Sequence, residues 1–174
     1  DTWQPWADVL GEHYRIVTVD LPGHGLTDPD PDKAYGRWRF ARFTADFVDT
    51  IGLDQFVIGG NSYGGETALR YVIDNPGRAI AMLLVSSGGY LGEVPDAEAE
   101  MLAAISSPLR PLLPYLITRE ALAESLKEYY LESAITDSLI DRSFDLTRYE
   151  NNRQTFFDMV EYAARTYQDI EGLD

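Results

Sequence analysis

The sequence predicts an α/β fold: a parallel sheet with flanking helices in the first half of the chain, then a second half built from helices alone. Up to about Gly88, short β-branched runs alternate with longer helical patterns, the signature of strand–helix–strand crossovers around a parallel sheet. A glycine-rich pentapeptide, Gly60-Asn61-Ser62-Tyr63-Gly64, joins one predicted strand directly to the next predicted helix. From Asp96 onward the β-branched runs stop and three- and four-residue apolar spacings dominate.

Taken in order, Tyr14 to Asp20 (YRIVTVD) reads as the first strand, and Leu21 to Lys33 as a loop, because its prolines and glycines cannot continue a helix. From Arg37, Phe40, Phe43, Phe47 and Ile51 recur at helical steps and predict a core-facing helix that Gly52 closes. Gln55 to Gly60 and Ala79 to Ser86 read as buried strands, with a helix of Glu66 to Asn75 between them that Pro76 stops. In the second half Pro108, Pro111 and Pro114 break the helical pattern into pieces. Thr118 is placed as N-cap of a helix over Arg119 to Tyr130, and Phe156, Phe157, Val160 and Ala164 mark another. There is no internal repeat and no low-complexity tract.

Composition narrows the function. The 174 residues, 45% hydrophobic, suffice for one domain with a sizeable core. Twenty-nine acidic against 14 basic residues give a formal charge of −15, which repels nucleic-acid phosphates and anionic lipid heads. With no cysteine there is no disulfide, thiol nucleophile or thiolate metal site, and His13 and His24 alone offer imidazole, so no metal is expected. The longest apolar run, Ala79 to Val85, is far short of the roughly 20 residues of a membrane span. The expectation is a soluble, cytoplasmic protein with neither nucleic acid nor membrane as partner; oligomeric state is not readable.

The chemistry concentrates at the pentapeptide. A serine on a sharp strand-to-helix turn projects its hydroxyl clear of both elements, and flanking glycines are expected because side chains there would collide with strand and helix. The following helix aims backbone N–H groups at the same spot. Ser62 is therefore the candidate nucleophile, the Tyr63 N–H a candidate oxyanion donor, and Gly65 a close-packing position against the sheet.

With Val19-Asp20-Leu21-Pro22-Gly23-His24-Gly25 upstream and Gly60 to Gly65 downstream, the chain resembles the α/β-hydrolase family over essentially its whole length. The resemblance implies a serine hydrolase cleaving an ester, amide or carbon–carbon bond of a small, largely apolar substrate; no cofactor is expected, because the glycines around Ser62 carry no phosphate-binding lysine and match no dinucleotide fingerprint. The serine argues against the branches that use an aspartate nucleophile. It also places Thr2 to Leu10 as the helix after the third strand, residues 1–90 as a partial core with the nucleophile elbow, and 91–174, from about Leu91, as a helical cap or lid.

In that family the triad runs in the order Ser, Asp, His, and no histidine follows Ser62. The expectation is thus the middle of a longer hydrolase of about 250 to 300 residues, nearly inactive alone for want of the base and the second oxyanion donor. Because the family's third strand lies between its fourth and fifth, unpaired sheet edges are expected as well. The alternative is a non-catalytic member of the family that binds a small ligand or a partner protein.

The remaining candidates carry blander readings. His24 is expected to shape its loop and His13 to be solvated. Asp28, Asp30 and Asp32 lack the glycine and glutamate of a calcium loop and read as an exposed acidic turn. Arg37, Arg39 and Arg42 read as a solvated helix face. Ser86 and Ser87, with Gly88 and Gly89, end a strand on the sheet's catalytic edge and are candidate pocket or hinge residues. Tyr129, Tyr130, Phe156 and Phe157 are expected mostly in the cap's core.

Overall fold

A computed structural model describes residues 3–88, 108, 110–149 and 151–170. The expected domain boundary at residue 90, with Gly89 and Leu91, lies outside them. Helix α1 (Gln4–Leu10) starts with a proline in its first turn, where the missing N–H costs nothing. Helix α2 spans Arg37–Thr50, and Gly52, at φ +69°, lets the chain leave it. There the Gly52 N–H donates to the Asp49 carbonyl and the Leu53 N–H to that of Val48, the paired closure of a Schellman end. Strand β1 (Phe56–Asn61), helix α3 (Tyr63–Asp74) and strand β2 (Ala79–Val85) follow, and β1 pairs with β2 in parallel, Ile58 opposite Met82 and Gly60 opposite Leu84.

Helix α3 packs on both strands and α2 packs on α3. The core there is Ala41, Val48, Ile58, Ala68 and Tyr71, flanked by Phe47, Leu53, Phe56 and Leu84. Along α2 the buried stripe is Phe40, Thr44 and Val48 with Ala41, so the predicted apolar face is real but centred one position away from Phe43 and Phe47.

Two expectations about strands are corrected. Tyr14 to Asp20 is irregular and exposed along its length, since a strand needs a ladder partner and among the described residues the sheet is β1 and β2 alone. Nor is β2 buried: Ile80, Ala81, Met82 and Leu83 are exposed, as is Val57 of β1, because among the described elements the helix covering the sheet is α3, on one face.

In the second half a 3₁₀ turn (Arg110–Leu116) holds Pro111 and Pro114. Helix α4 (Arg119–Leu126) is capped as predicted, Thr118 Oγ1 accepting the Ala121 N–H, but it stops at Leu126. Helix α5 (Asp137–Thr147) repeats that cap with Thr136, and α6 (Asn152–Ile170) follows. Leu126, Ile140 and Phe157 are buried, whereas Phe156, Tyr129 and Tyr130 are exposed. The tyrosines sit beyond the end of α4, where the helical face they would have continued no longer exists.

Candidate active site

Ser62 lies between the last residue of β1 and the first of α3, exposed, with φ +50° and ψ −118°. A positive φ in a non-glycine residue is strained and persists only where the surroundings impose it. The surroundings here are a set of backbone hydrogen bonds. The Ser62 N–H donates to the Val85 carbonyl at 3.0 Å, and the Ser62 carbonyl accepts the N–H groups of Gly65 (3.0 Å), Glu66 (3.2 Å) and Gly88 (3.2 Å). The Asn61 amide adds a further bond to Val85 at 3.1 Å. The turn is thereby sutured to the end of β2 on one side and to α3 on the other. The Ser62 hydroxyl has no hydrogen-bond partner among the described residues.

The glycines divide into those the turn requires and one that it does not. A Cβ at Gly60 would stand 2.1 Å from the Gly64 carbonyl oxygen, and one at Gly65 would stand 2.5 Å from Ser87 Oγ. Gly64, the pentapeptide's second glycine, has open space where its Cβ would go. The steric requirement anticipated on both sides of the serine therefore falls on Gly60 and Gly65.

Tyr63 is the first residue of α3, where backbone N–H groups have no acceptor within the helix. Its side chain turns back onto the preceding loop: the phenol donates to the Tyr35 carbonyl, and the ring meets Phe40 edge-on at 5.4 Å between centroids. Ser87 comes to the same turn, its Oγ donating to the Gly88 carbonyl at 2.8 Å while Gly88 bonds Ser62. Ser86 is exposed, with φ +42°.

The sequence reading missed Glu66. It is buried in the first turn of α3, pairs with Arg37 Nε at 3.0 Å, and reaches 3.4 Å from where a Gly88 Cβ would be. Burial pushes its carboxyl above the usual range, against the opposing pull of Arg37. Only the pairing of two separate helices reveals this, so no local signal marked it. Arg37 is thus no free solvated charge. Arg39 is not either: its Nε donates to Asp30 at 2.6 Å, and Asp30 is buried, accepting also the N–H groups of Asp32 and Ala34. Burial raises the Asp30 carboxyl, but the hydrogen bonds from Arg39, Ala34 and Asp32 prevail and hold it below the ordinary range. The acidic turn is in this respect a buried loop organiser, while Asp28 and Asp32 are exposed.

His24 is turned into its own loop, with Nδ1 3.3 Å from the Pro22 carbonyl and its ring edge-on to Phe40. Burial holds its pKa below the ordinary histidine value. His13 is exposed. Among the described residues no group of three or more acidic or histidine side chains could hold a metal ion, and no helix is long and apolar enough to cross a membrane.

Residues 1–169 match the family described as alpha/beta hydrolase fold. The chain belongs to that family. Among curated relatives, 2-hydroxy-6-oxo-6-(2'-aminophenyl)hexa-2,4-dienoic acid hydrolase of Metapseudomonas resinovorans is 28% identical over 156 residues, 88% of this chain and 50% of that protein. The dihydrolipoyllysine-residue acetyltransferase component of the acetoin cleaving system of Cupriavidus necator is 30% identical over 149 residues, 80% of this chain and 39% of that one. The chain thus spans half or less of the length of these relatives. Among solved structures, the meta-cleavage product hydrolase CumD from Pseudomonas fluorescens IP01 superposes with a TM-score of 0.73 at 22% identity, over 90% of this chain and 54% of that one, a likeness of fold.

Proposed function

We propose that this α/β-hydrolase chain carries the nucleophile of a serine hydrolase acting on a small, largely apolar carbonyl substrate. Ser62 Oγ forms a bond to the substrate carbonyl carbon while its proton passes to a general base. The Tyr63 N–H, at the positive end of α3, helps hold the oxyanion that develops. Collapse breaks the bond to the leaving group, which takes that proton from the base; water, giving its proton to the freed base, then attacks the acyl carbon and releases the acid as Ser62 regains its proton. The observation that carries this reading is the Ser62 backbone: a strained, exposed serine held by hydrogen bonds at the C-terminal end of a parallel strand, where α/β folds place their chemistry. The relative named as a dienoic acid hydrolase favours hydrolysis of a carbon–carbon bond next to a carbonyl over ester or amide cleavage.

The test is labelling of the full-length protein by a fluorophosphonate probe. Labelling is expected in the wild type and lost in Ser62→Ala. Equal labelling of Ser62→Ala would sink the nucleophile assignment, and no labelling of a folded wild type would favour a ligand-binding role.

A further inference from the structure

We propose that the Tyr63 side chain couples the docking of helix α6 to the turn that carries Ser62, so that the helical second half and the oxyanion turn are held or released together. The catalytic importance of this coupling rests on Ser62 being the nucleophile; the coupling itself does not.

The path is continuous. Helix α6 meets the loop of residues 23–36 and the first turn of α2 along a single stripe. Asn152 Nδ2 donates to the Gly25 carbonyl at 2.8 Å, the Thr155 methyl lies 2.2 Å from where a Gly23 Cβ would be, and Asp158 pairs with Lys33 at 3.0 Å. Further along, the Trp38 indole N–H donates to the Tyr162 phenol oxygen at 3.4 Å. Steps of three and four residues put all four on one face of the helix. The Thr155 methyl and the Tyr35 ring both lie beside Gly23, the ring 3.8 Å from where its Cβ would be, and Tyr35 is fully buried. The Tyr35 carbonyl is the group that the Tyr63 phenol bonds, and Phe40 packs edge-on against both rings. Tyr63 is therefore tied by its side chain to the loop on which α6 sits and by its backbone to the turn of Ser62. Tight packing of this kind transmits a displacement instead of absorbing it.

Backbone hydrogen exchange tests this in wild type, Tyr63→Phe, Asp158→Asn and the double variant. Tyr63→Phe keeps the ring and removes the hydroxyl. It is expected to speed exchange about five-fold, the factor that loss of one hydrogen bond gives, both in residues 63–66 and in residues 152–162. Asp158→Asn should speed exchange at residues 63–66 although it touches none of them. The double variant should exchange no faster at either place than the faster single one. Multiplying effects would mark independent sites and overturn the coupling, as would a Tyr63→Phe effect confined to residues 63–66. Lys33→Met, which breaks the same ion pair from the loop side, serves if Asp158→Asn fails to fold. Fluorophosphonate labelling of wild type reads the nucleophile assignment separately: labelling with multiplying effects overturns the coupling alone, whereas no labelling with non-multiplying effects overturns the nucleophile alone.

Discussion

Ser62 stores backbone strain, and strain can be read as stability. A non-glycine residue held at φ +50° costs on the order of 1–3 kcal/mol, while glycine at the same position gives back about 0.5–1 kcal/mol through its freer unfolded chain. Ser62→Gly should therefore raise the unfolding free energy by about 1 kcal/mol while Ser62→Ala, which keeps the strain, leaves it nearly unchanged. Urea titration of both variants checks this, and a Ser62→Gly variant less stable than Ser62→Ala by about 0.5–1 kcal/mol, the entropy cost of glycine alone, would show that the turn is relaxed. The glycines give a second contrast. Gly60→Ala forces a Cβ into the Gly64 carbonyl and should cost about 3 kcal/mol or more, whereas Gly64→Ala has open space inside a helix and should gain about 0.5 kcal/mol. The serine was legible in the sequence because its motif is local. Gly65 was legible as a close-packing position, but the dispensability of Gly64 was not, because that depends on how closely α3 approaches β1 and β2.

At the scale of elements, α2, β1, α3 and β2 were readable because each has its own boundary chemistry. Gly52 ends α2, Gly60 permits the turn into α3, and the chain leaves α3 at Asn75-Pro76. Tyr14 to Asp20 has equally strong β-branched character, yet pairing is a property of two segments and the described residues supply no second one. The Arg37–Glu66 pair was hidden for the same reason, as it exists only once α2 lies across α3. Its pH dependence has a definite sign. The Glu66 carboxyl is raised in the folded state, so its ionisation opposes folding, an effect absent below the unfolded carboxylate value and complete above the raised one. Arg37 relieves part of that cost. Arg37→Met should therefore destabilise by about 1 kcal/mol at pH 7, a modest figure because the Arg37 side chain is 40% exposed. At pH 4 the loss should be smaller, since a protonated Glu66 needs no cation. Thermal melts at the two pH values decide it, and a loss that grows on acidification would contradict the assignment.

On the scale of the whole molecule, the apolar core of α2, α3 and the sheet is distinct from the polar seam by which α6 meets the loop of residues 23–36. That seam was not legible in advance, because Lys33, Gly25, Asp158 and Asn152 carry no mark of partners lying more than a hundred residues away. Its chemistry predicts an order of events in acid. Burial raises the Asp158 carboxyl, but hydrogen bonds from Gln154, Arg110 and Lys33 outweigh it and leave the group below its ordinary value. Asp30, which organises the loop side through Arg39, is lowered in the same sense. A carboxylate depressed on folding stabilises the fold above its unfolded value of about 4, and that contribution is lost as pH falls through the depressed one. Acidification from pH 5 to pH 2 should therefore free α6 before it unfolds α3, whose contacts with β1 and β2 are largely apolar. Residues 152–162 should lose hydrogen-exchange protection at a higher pH than residues 63–74. Asp158→Asn should show weakened protection of α6 already at pH 7, with a smaller further loss between pH 5 and pH 2 than the wild type, the part that Asp30 contributes. Simultaneous loss of protection in α6 and α3 in the wild type would mean that the seam is not held by these carboxylates.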